Sequence, residues 1–352
     1  MDSSQRFSLV LGGGGLKGLA HIGVLRALEE RGRSPDALVG TSIGALVAAG
    51  YAAGVPVDEL WERALLVERR HVFQIAHVDM AFRRMLSPAV YRREPLESLV
   101  TSLVGSRTFK ELGRQLVVNT ADLNSGMQVL WGMPGLDDVG VADAVIASCA
   151  LPGIFPPREI RGRWYMDGAV IESLPIRAAG VLTDGPVVAV DLGGGGALRE
   201  GIERQGFAAT YARGFEIVMG TRLELQALTY RRPPVLLVAP RLAHLSMFAF
   251  DDTANLLQEG YRATLEALDH FDELFEPGAI GLYPRRRVIL SVDREHCIGC
   301  RACVARAPDI FQMDSSGKAV VISPEQVWSP FDGSYVRNCP TWAIKAKPAP
   351  PR

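Results

Sequence analysis

A serine with a glycine two positions away on each side stands at Gly40-Thr41-Ser42-Ile43-Gly44, directly after a short apolar run. Between a strand and a helix, G-x-S-x-G is typical of a serine nucleophile whose hydroxyl is exposed on a tight turn. An earlier apolar run ends in the glycine cluster 12–15. The backbone N–H groups of such a cluster can hold the oxyanion that forms when a serine attacks an ester carbonyl. The two motifs together predict acyl transfer by Ser42, the alternative being a serine that only caps a helix.

The same glycines resemble two nucleotide-binding motifs, and both matches fail. Gly13-x-Gly15-x-x-Gly18 has the spacing of the dinucleotide fingerprint. A dinucleotide site also needs an acidic residue at the end of the second strand. In this chain the second strand ends in residues 40–44, which include no Asp or Glu. The Walker loop requires Ser or Thr after its lysine, but Gly18 follows Lys17.

The base that would take the proton from Ser42 is harder to find in the sequence. Six histidines are present, and none lies in a motif that indicates a catalytic role: His21, His71, His77, His244, His270 and His296. Asp167 follows an aromatic-rich run and precedes a glycine. A carboxylate can act as the base where apolar surroundings raise its pKa toward neutrality. On the residues alone, an aspartate with a purely structural role in a turn remains the alternative.

Four of the five cysteines lie near the carboxyl end of the chain, at Cys297, Cys300, Cys303 and Cys339. Three thiolates at successive three-residue spacing plus a distant Cys-Pro pair favour an iron–sulfur cluster. Zinc is the alternative, although structural zinc sites usually combine two C-x-x-C knuckles. Cys149 stands apart from this set and is expected to be a buried structural thiol.

The elements that position these residues follow from hydrophobic patterning. Short apolar runs predict strands at 7–11, 37–40, 116–118, 187–190 and 235–238. Helical patterns alternate with them at 20–32, 42–53, 203–229 and 252–271, and residues 55–112 are expected to be helical and irregular. Alternating strands and helices predict an α/β fold with a mostly parallel sheet. A Pro/Gly-rich connector, 277–287, predicts a domain boundary: 1–285, then 286–346, then a disordered tail 347–352.

Composition limits the classes of function. The 38 basic and 39 acidic residues among 352 argue against nucleic-acid binding, which normally needs an excess of Lys and Arg. No apolar run is long enough to span a membrane, and the run 7–11 is too short for the core of a signal peptide. A cytoplasmic protein is therefore expected, and in that compartment disulfides are disfavoured.

Four segments resemble patatin-like phospholipases in order and spacing: LGGGGLKGLAHIGVL from Leu11, GTSIGA from Gly40, ASCALPGIFPP from Ala147 and DGA from Asp167. The likeness covers roughly residues 6–285. It implies a three-layer α/β/α fold and a serine carboxylic-ester hydrolase that cleaves phospholipid or other acyl-ester lipids without a cofactor. Ser42 matches the nucleophile, Asp167 the base, Lys17 a basic position, and the oxyanion loop falls on Gly13, Gly14 and Gly15. The family often has a second glycine after Asp-Gly, where this chain has Ala169.

Residues 288–344 resemble bacterial-type single-cluster ferredoxins, including APDIF after the third cysteine and CPTWAI at the end. The resemblance implies a small α+β domain with one 4Fe-4S cluster on Cys297, Cys300, Cys303 and Cys339. Two-cluster ferredoxins have a further cysteine before the proline that follows the third ligand, and here that residue is Ala307.

Three hypotheses for the cluster follow from this fusion. In the first, a lipid acyl hydrolase in peripheral contact with the inner membrane surface carries a cluster for electron transfer or redox control, with a redox partner protein. In the second, the chain is an electron carrier tethered to a lipid-binding module with little hydrolytic activity. In the third, the cluster is a redox sensor or a structural staple.

Overall fold

The computed structural model describes residues 5–68, 74, 89–193, 201, 204, 206–242, 244–247 and 252–350. Of the segment 55–112, expected to be helical and irregular, residues 69–73 and 75–88 therefore lie outside the described residues. The strands are β1 Ser8–Leu11, β2 Ala37–Thr41, β3 Gln115–Asp122, β4 Gln128–Trp131, β5 Arg158–Ile160, β6 Arg163–Asp167, β7 Val187–Val190, β8 Val235–Val238, β9 Leu282–Tyr283, β10 Arg286–Val292, β11 Phe311–Met313, β12 Ala319–Val321, β13 Glu325–Trp328 and β14 Ile344–Pro348.

The α-helices are α1 Ala20–Glu30, α2 Ile43–Ala52, α3 Val57–Leu66, α4 Glu94–Val104, α5 Val141–Ser148, α6 Ile176–Ala179, α7 Gly206–Thr229, α8 Thr253–Leu268, α9 Ala302–Arg306 and α10 Ser334–Arg337. None of those described is both long and apolar enough to cross a bilayer.

The large sheet has the order β5-β6-β3-β2-β1-β7-β8-β9, with β4 also paired to β3. Its central strands are parallel, as predicted, and β4, β5 and β6 form an antiparallel end. Successive residues of β1 face opposite sides, since Leu9 and Leu11 belong to one hydrophobic cluster and Val10 to another. Helices cover both clusters, which gives the three-layer α/β/α architecture.

The register brings the ends of β2 and β6 together. Thr41 pairs with Asn119 of β3, and Asp167 pairs with the next residue, Thr120. Strand β4 pairs with the same stretch of β3. A strand has only two hydrogen-bonding edges, so β4 occupies one edge while β2 and β6 share the other. Ser42, which follows Thr41, therefore lies beside Asp167.

Helices α1 and α8 cross at glycines. A Cβ atom on Gly260 would lie 1.9 Å from the carbonyl oxygen of Ala20, and one on Gly23 would lie 1.9 Å from that of Leu257. Only hydrogen at these positions lets the two backbones approach so closely.

Gly260→Ala is therefore expected to lower the free energy of unfolding by about 2 kcal/mol, since the added methyl forces the helices apart. Gly214→Ala on α7 is the matched control, because nothing lies within 4 Å of its Cβ position. The better helix propensity of alanine should make the control neutral or stabilising by up to about 1 kcal/mol. Urea unfolding measures both variants, and equal midpoints would contradict the close-approach argument.

A second, smaller unit has its own hydrophobic core, built on Val288, Leu290, Phe311, Trp328 and Tyr335. Strands β13, β10 and β14 form an antiparallel sheet, and β11 pairs with β12. The last strand of the large sheet ends at Tyr283, and β10 begins at Arg286.

The disordered tail predicted for 347–352 is wrong for its first residues. Lys347 and Pro348 belong to β14 and pair with Ile289 and Val288 of β10. The bias toward Lys, Ala and Pro suggested disorder, but backbone pairing with β10 needs no apolar side chains on the solvent side. Residues 351–352 lie outside the described residues.

The small unit touches α7 of the large one. Phe331 packs against the second hydrophobic cluster and lines a shared pocket with Leu223, Ala227 and Tyr230. Arg337, at the end of α10, donates to the Glu224 carboxylate at 2.5 Å.

Candidate functional site

Ser42 sits in a strained backbone conformation between β2 and α2, with φ 56° and ψ −129°. Such a conformation is rare for a residue with a side chain and persists only where the surroundings enforce it. The flanking glycines explain the sequence pattern. A Cβ on Gly40 would lie 2.4 Å from Ala45 Cα, and one on Gly44 would lie 2.1 Å from the Leu11 carbonyl oxygen. The turn therefore needs glycine on both sides of the serine.

Ser148, at the end of α5, supports this turn from behind. The Ser42 backbone N–H donates to Ser148 Oγ at 2.8 Å, and Ser148 Oγ donates to the Asn119 carbonyl at 2.7 Å. Ser148 is completely buried. The sequence motifs assigned Ser148 no role. A small polar residue at an otherwise apolar helix end could have indicated a buried hydrogen bond of this kind.

Asp167 is buried, with 1% of its surface exposed, at the end of β6. Burial raises the pKa of this carboxyl to about 7, although hydrogen bonding by the Ser42 hydroxyl and by the Ala169 N–H opposes that rise. The Ala169 N–H donates to Asp167 Oδ1 at 2.9 Å and fixes the carboxylate. A carboxylate with a pKa near neutrality is suited to accepting a proton from a serine.

This pKa of about 7 predicts the pH dependence of activity. The base must be ionised, so kcat/KM should rise about tenfold per pH unit below pH 7 and level off above it. The measurement is a pH profile of hydrolysis of an uncharged soluble ester, with the fraction of folded protein checked at each pH. A flat profile between pH 5 and 8 would contradict Asp167 as the titrating base.

Ser42 and Asp167 open into one apolar cavity of about 600 Å³. Gly14 and Gly15 line it too, whereas the Gly13 N–H donates to the Ser173 carbonyl at 3.1 Å. The apolar walls of the cavity are formed by side chains from several elements, namely Ile43, Leu96, Leu151, Ile154, Phe155, Phe215, Met219 and Met247. A cavity of this composition suits a hydrocarbon chain.

His21 and Lys17 are buried near the glycine loop. His21 donates through Nε2 to the Gly12 carbonyl at 2.8 Å, and burial lowers its pKa to about 4. His21 therefore stays neutral and anchors the start of the loop. Lys17 donates to the Gly193 carbonyl at 2.9 Å. Cys149 lines the cavity, and burial followed by the charge of Asp167 raises its pKa, so its thiol stays protonated.

None of the remaining histidines that the structure describes lines this cavity. His71 and His77 lie outside the described residues. His244 is exposed, and the last two pair with acidic neighbours, His270 with Glu273 and His296 with Asp293.

The four clustered cysteines, Cys297, Cys300, Cys303 and Cys339, line a single cavity of about 350 Å³ in the small unit. Four thiolates around one shared space suit a polynuclear cluster, whose ligands bind different iron atoms. In the described part of the chain, no three His, Cys, Asp or Glu side chains form a group that could hold a single metal ion, and the four cysteines are considered only as ligands to different iron atoms of one cluster.

Backbone geometry supports this cysteine site. Burial tends to raise the pKa of Cys339, but N–H groups of Thr341, Ile344 and Ala343 outweigh burial and lower it. Hydrogen bonds of this kind stabilise cluster sulfur atoms as well as free thiolates. Gly299 cannot carry a side chain, because its Cβ would lie 2.4 Å from the Gly317 carbonyl oxygen.

Comparison with protein families identifies both units. Residues 9–179 match the patatin-like phospholipase family, and residues 290–332 match the 4Fe-4S single cluster domain. A patatin-like phospholipase match in the large unit is thus followed by a 4Fe-4S single cluster match in the small unit, the order that the sequence predicted. The first match contains Ser42 and Asp167, whereas the second ends before Cys339.

Individual relatives cover only part of this chain. An NTE family protein of Mycobacterium tuberculosis is 34% identical over 194 residues, which is 55% of this chain and 51% of the relative. The chain thus spans about half of that protein. A lysophospholipase of Saccharomyces cerevisiae is 30% identical over 204 residues, 54% of this chain and 11% of that protein.

Solved structures with some similarity include VipD from Legionella pneumophila, with a TM-score of 0.44 and 16% identity over 76% of this chain and 67% of that one. ExoU in complex with SpcU, from Pseudomonas aeruginosa, gives a TM-score of 0.38 and 16% identity, covering 77% of this chain and 53% of the other.

Proposed function

We propose that the patatin-like domain is a lipid acyl hydrolase that uses Ser42 as nucleophile and Asp167 as base. The observation that carries this proposal is the buried Asp167, with a pKa of about 7, beside a serine on a strained turn. Both side chains line a cavity whose walls are mostly apolar, as a site for an acyl chain requires. The lysophospholipase named among the relatives agrees with a lipid ester substrate.

In the proposed mechanism, Asp167 accepts the Ser42 hydroxyl proton while Oγ attacks the ester carbonyl carbon. The N–H groups of Gly14 and Gly15 hold the oxyanion, and Gly13 shapes the loop. Collapse breaks the bond to the alcohol, which leaves with the proton from Asp167. Asp167 then takes a proton from a water that attacks the acyl–Ser42 ester, and it returns this proton to Ser42 Oγ as the fatty acid is released.

The test is fatty-acid release from phospholipid vesicles by anaerobically purified protein, wild type beside Ser42→Ala. Ser102→Ala is the matched control, because Ser102 is an exposed serine on α4. Serine-dependent release supports the proposal. Equal release by wild type and Ser42→Ala would refute it.

Contact with a membrane surface is proposed from three exposed apolar side chains around the end of β3. Leu123, Met127 and Trp164 are 44%, 65% and 43% exposed. The Leu123 N–H donates to the Trp164 carbonyl, so these residues lie together beyond the end of β3. Aromatic and aliphatic side chains at this edge suit the interfacial region of a bilayer. This supports peripheral contact with the inner membrane surface.

For the small domain, we propose one 4Fe-4S cluster held by Cys297, Cys300, Cys303 and Cys339, which all line its cavity. The match to the single-cluster family supports this assignment. Such a cluster supplies a reversible one-electron couple.

The contact with α7 favours redox control of the hydrolase over a cluster that acts alone. Phe215 and Met219 of α7 line the acyl cavity, and Glu224 of the same helix pairs with Arg337, two residues before Cys339. The cavity-lining residues of α7 and its contact with the cluster domain are thus only about two helical turns apart. A movement of the cluster domain could be passed along α7 to the cavity over that distance.

Vesicle hydrolysis by oxidised and reduced protein tests this role, with Arg337→Ala beside wild type. Redox-dependent release that weakens in Arg337→Ala supports control. Identical rates in both redox states would refute it, and a cluster that cycles with little hydrolysis would favour the electron-carrier alternative with its redox partner protein.

A further inference from the structure

A buried ion pair lies behind the glycine loop and takes no part in the mechanism above. Glu216 of α7 is 1% exposed and Lys17 is 2% exposed. Lys17 Nζ lies 3.9 Å from Glu216 Oε1, and Arg213 lies 3.4 Å from Oε2. A buried carboxylate persists only when charges and hydrogen bonds satisfy it, so its partners indicate what it organises.

Glu216 also contacts the segment that packs against the glycine loop. The Met247 N–H donates to Glu216 Oε1 at 3.3 Å, and the Leu16 N–H donates to the Met247 carbonyl at 2.8 Å. That carbonyl oxygen lies 2.3 Å from where a Cβ on Gly15 would be. Gly15 is therefore pressed against Met247, and Met247 is held by Glu216.

Lys17 forms the second connection between Glu216 and the loop. Lys17 belongs to the short 3-10 helix Gly15–Leu19 that directly follows Gly14. Its Nζ donates to the Gly193 carbonyl while it faces Glu216. One carboxylate thus fixes the Gly14–Gly15 turn from two sides, through Lys17 and through Met247.

We propose that Glu216 is a positioning residue that holds the Gly14 and Gly15 N–H groups in place for the oxyanion. The inference rests on the proposed function, because it assigns Glu216 a role in the same reaction. An oxyanion donor contributes in the transition state and little to substrate binding, so misplacing it lowers kcat more than it raises KM. Donors must be held to within about 0.5 Å to be effective.

The experiment compares Glu216→Gln, Glu216→Asp and Glu216→Ala with wild type on a soluble p-nitrophenyl ester. A fluorophosphonate that labels active serines counts the competent sites, so that kcat is expressed per labelled site. Gln preserves the acceptor for Met247 and removes the charge facing Lys17, whereas Asp preserves the charge and withdraws it by one methylene. Glu62→Gln, at an exposed position on α3 away from the cavity lining, is the matched control.

We expect kcat per labelled site to fall about tenfold to hundredfold in the three Glu216 variants, with KM changed less than about threefold. The Glu62 control should keep the wild-type kcat. A purely structural role would reduce the number of labelled sites and the Tm but leave kcat per site unchanged, and that result would overturn the inference. Gln and Asp keep the test decisive if the Ala variant does not fold.

The two proposals can fail separately. A wild-type protein that neither hydrolyses the ester nor reacts with the fluorophosphonate would overturn the proposed function, and with it the role of Glu216. An active wild type whose Glu216→Gln and Glu216→Asp variants match it in kcat per site would overturn only the role of Glu216.

Discussion

Asp167→Asn should lower kcat for ester hydrolysis by about four orders of magnitude. A loss of this size occurs when the base of a serine hydrolase is held in the wrong tautomer and cannot accept the serine proton. Asparagine has nearly the volume of aspartate, so the end of β6 should keep its packing. The amide cannot accept the Ser42 proton at neutral pH. Steady-state hydrolysis of a soluble ester, with labelling of Ser42 by a fluorophosphonate, measures the loss.

Asp122→Asn is the control for removing a buried carboxylate from the same sheet. Asp122 is 1% exposed at the end of β3 and bonds to Arg163 and to the Asn124 N–H. It is absent from the lining of the acyl cavity. Its replacement should reduce stability and leave kcat within about threefold of wild type. An Asp167→Asn enzyme that retained a tenth or more of the wild-type kcat would rule out Asp167 as the base.

Cys303→Ala should remove the cluster almost completely. Cys303 is buried and lines the cavity shared by the clustered cysteines, and burial raises the pKa of its thiol. Without this ligand, one iron has no protein thiolate, and clusters bound by three cysteines are readily lost or degraded. Iron and acid-labile sulfide analysis of anaerobically purified protein, with visible absorbance, measures the result.

Cys149→Ala controls for the loss of a cysteine as such, because Cys149 lies in the acyl cavity of the other domain. Iron and sulfide contents should match wild type in this variant. Stoichiometric zinc without sulfide in the wild-type protein would contradict the cluster assignment. Metal binding and folding are coupled in small domains, so Cys303→Ala should also loosen the core around Phe311 and Tyr335.

Local pattern sufficed for the parts of the fold that are set by nearby residues. The strands at 187–190 and 235–238 match β7 and β8 in full, and the glycine loop and serine turn lie where the motifs predicted. These features depend on short apolar runs, on glycines and on the spacing between nearby residues. All of these can be recognised within one stretch of the sequence.

Contacts between residues far apart in the sequence could not be predicted from it. Ser148 supports Ser42 across 106 positions, and Glu216 reaches Met247 across 31. Neither pairing leaves a periodic trace in the sequence. The meeting of β2 and β6 on one edge of β3 likewise arises from an antiparallel return that patterning could not predict. Strand β14 was misjudged because its pairing with β10, rather than its composition, orders it.

Helix α7 contributes both to the apolar cavity and to the contact with the small unit, so the proposed redox control would act in both directions. Thermodynamic coupling between two sites is reciprocal, so any change in acyl affinity on reduction of the cluster equals the change in reduction free energy when an acyl chain binds. With Phe215 and Met219 on the apolar cavity and Glu224 bonded to Arg337, the proposed redox control predicts that an acyl chain in the cavity shifts the midpoint potential of the cluster. Potentiometry of the cluster would then serve as a lipid-binding assay.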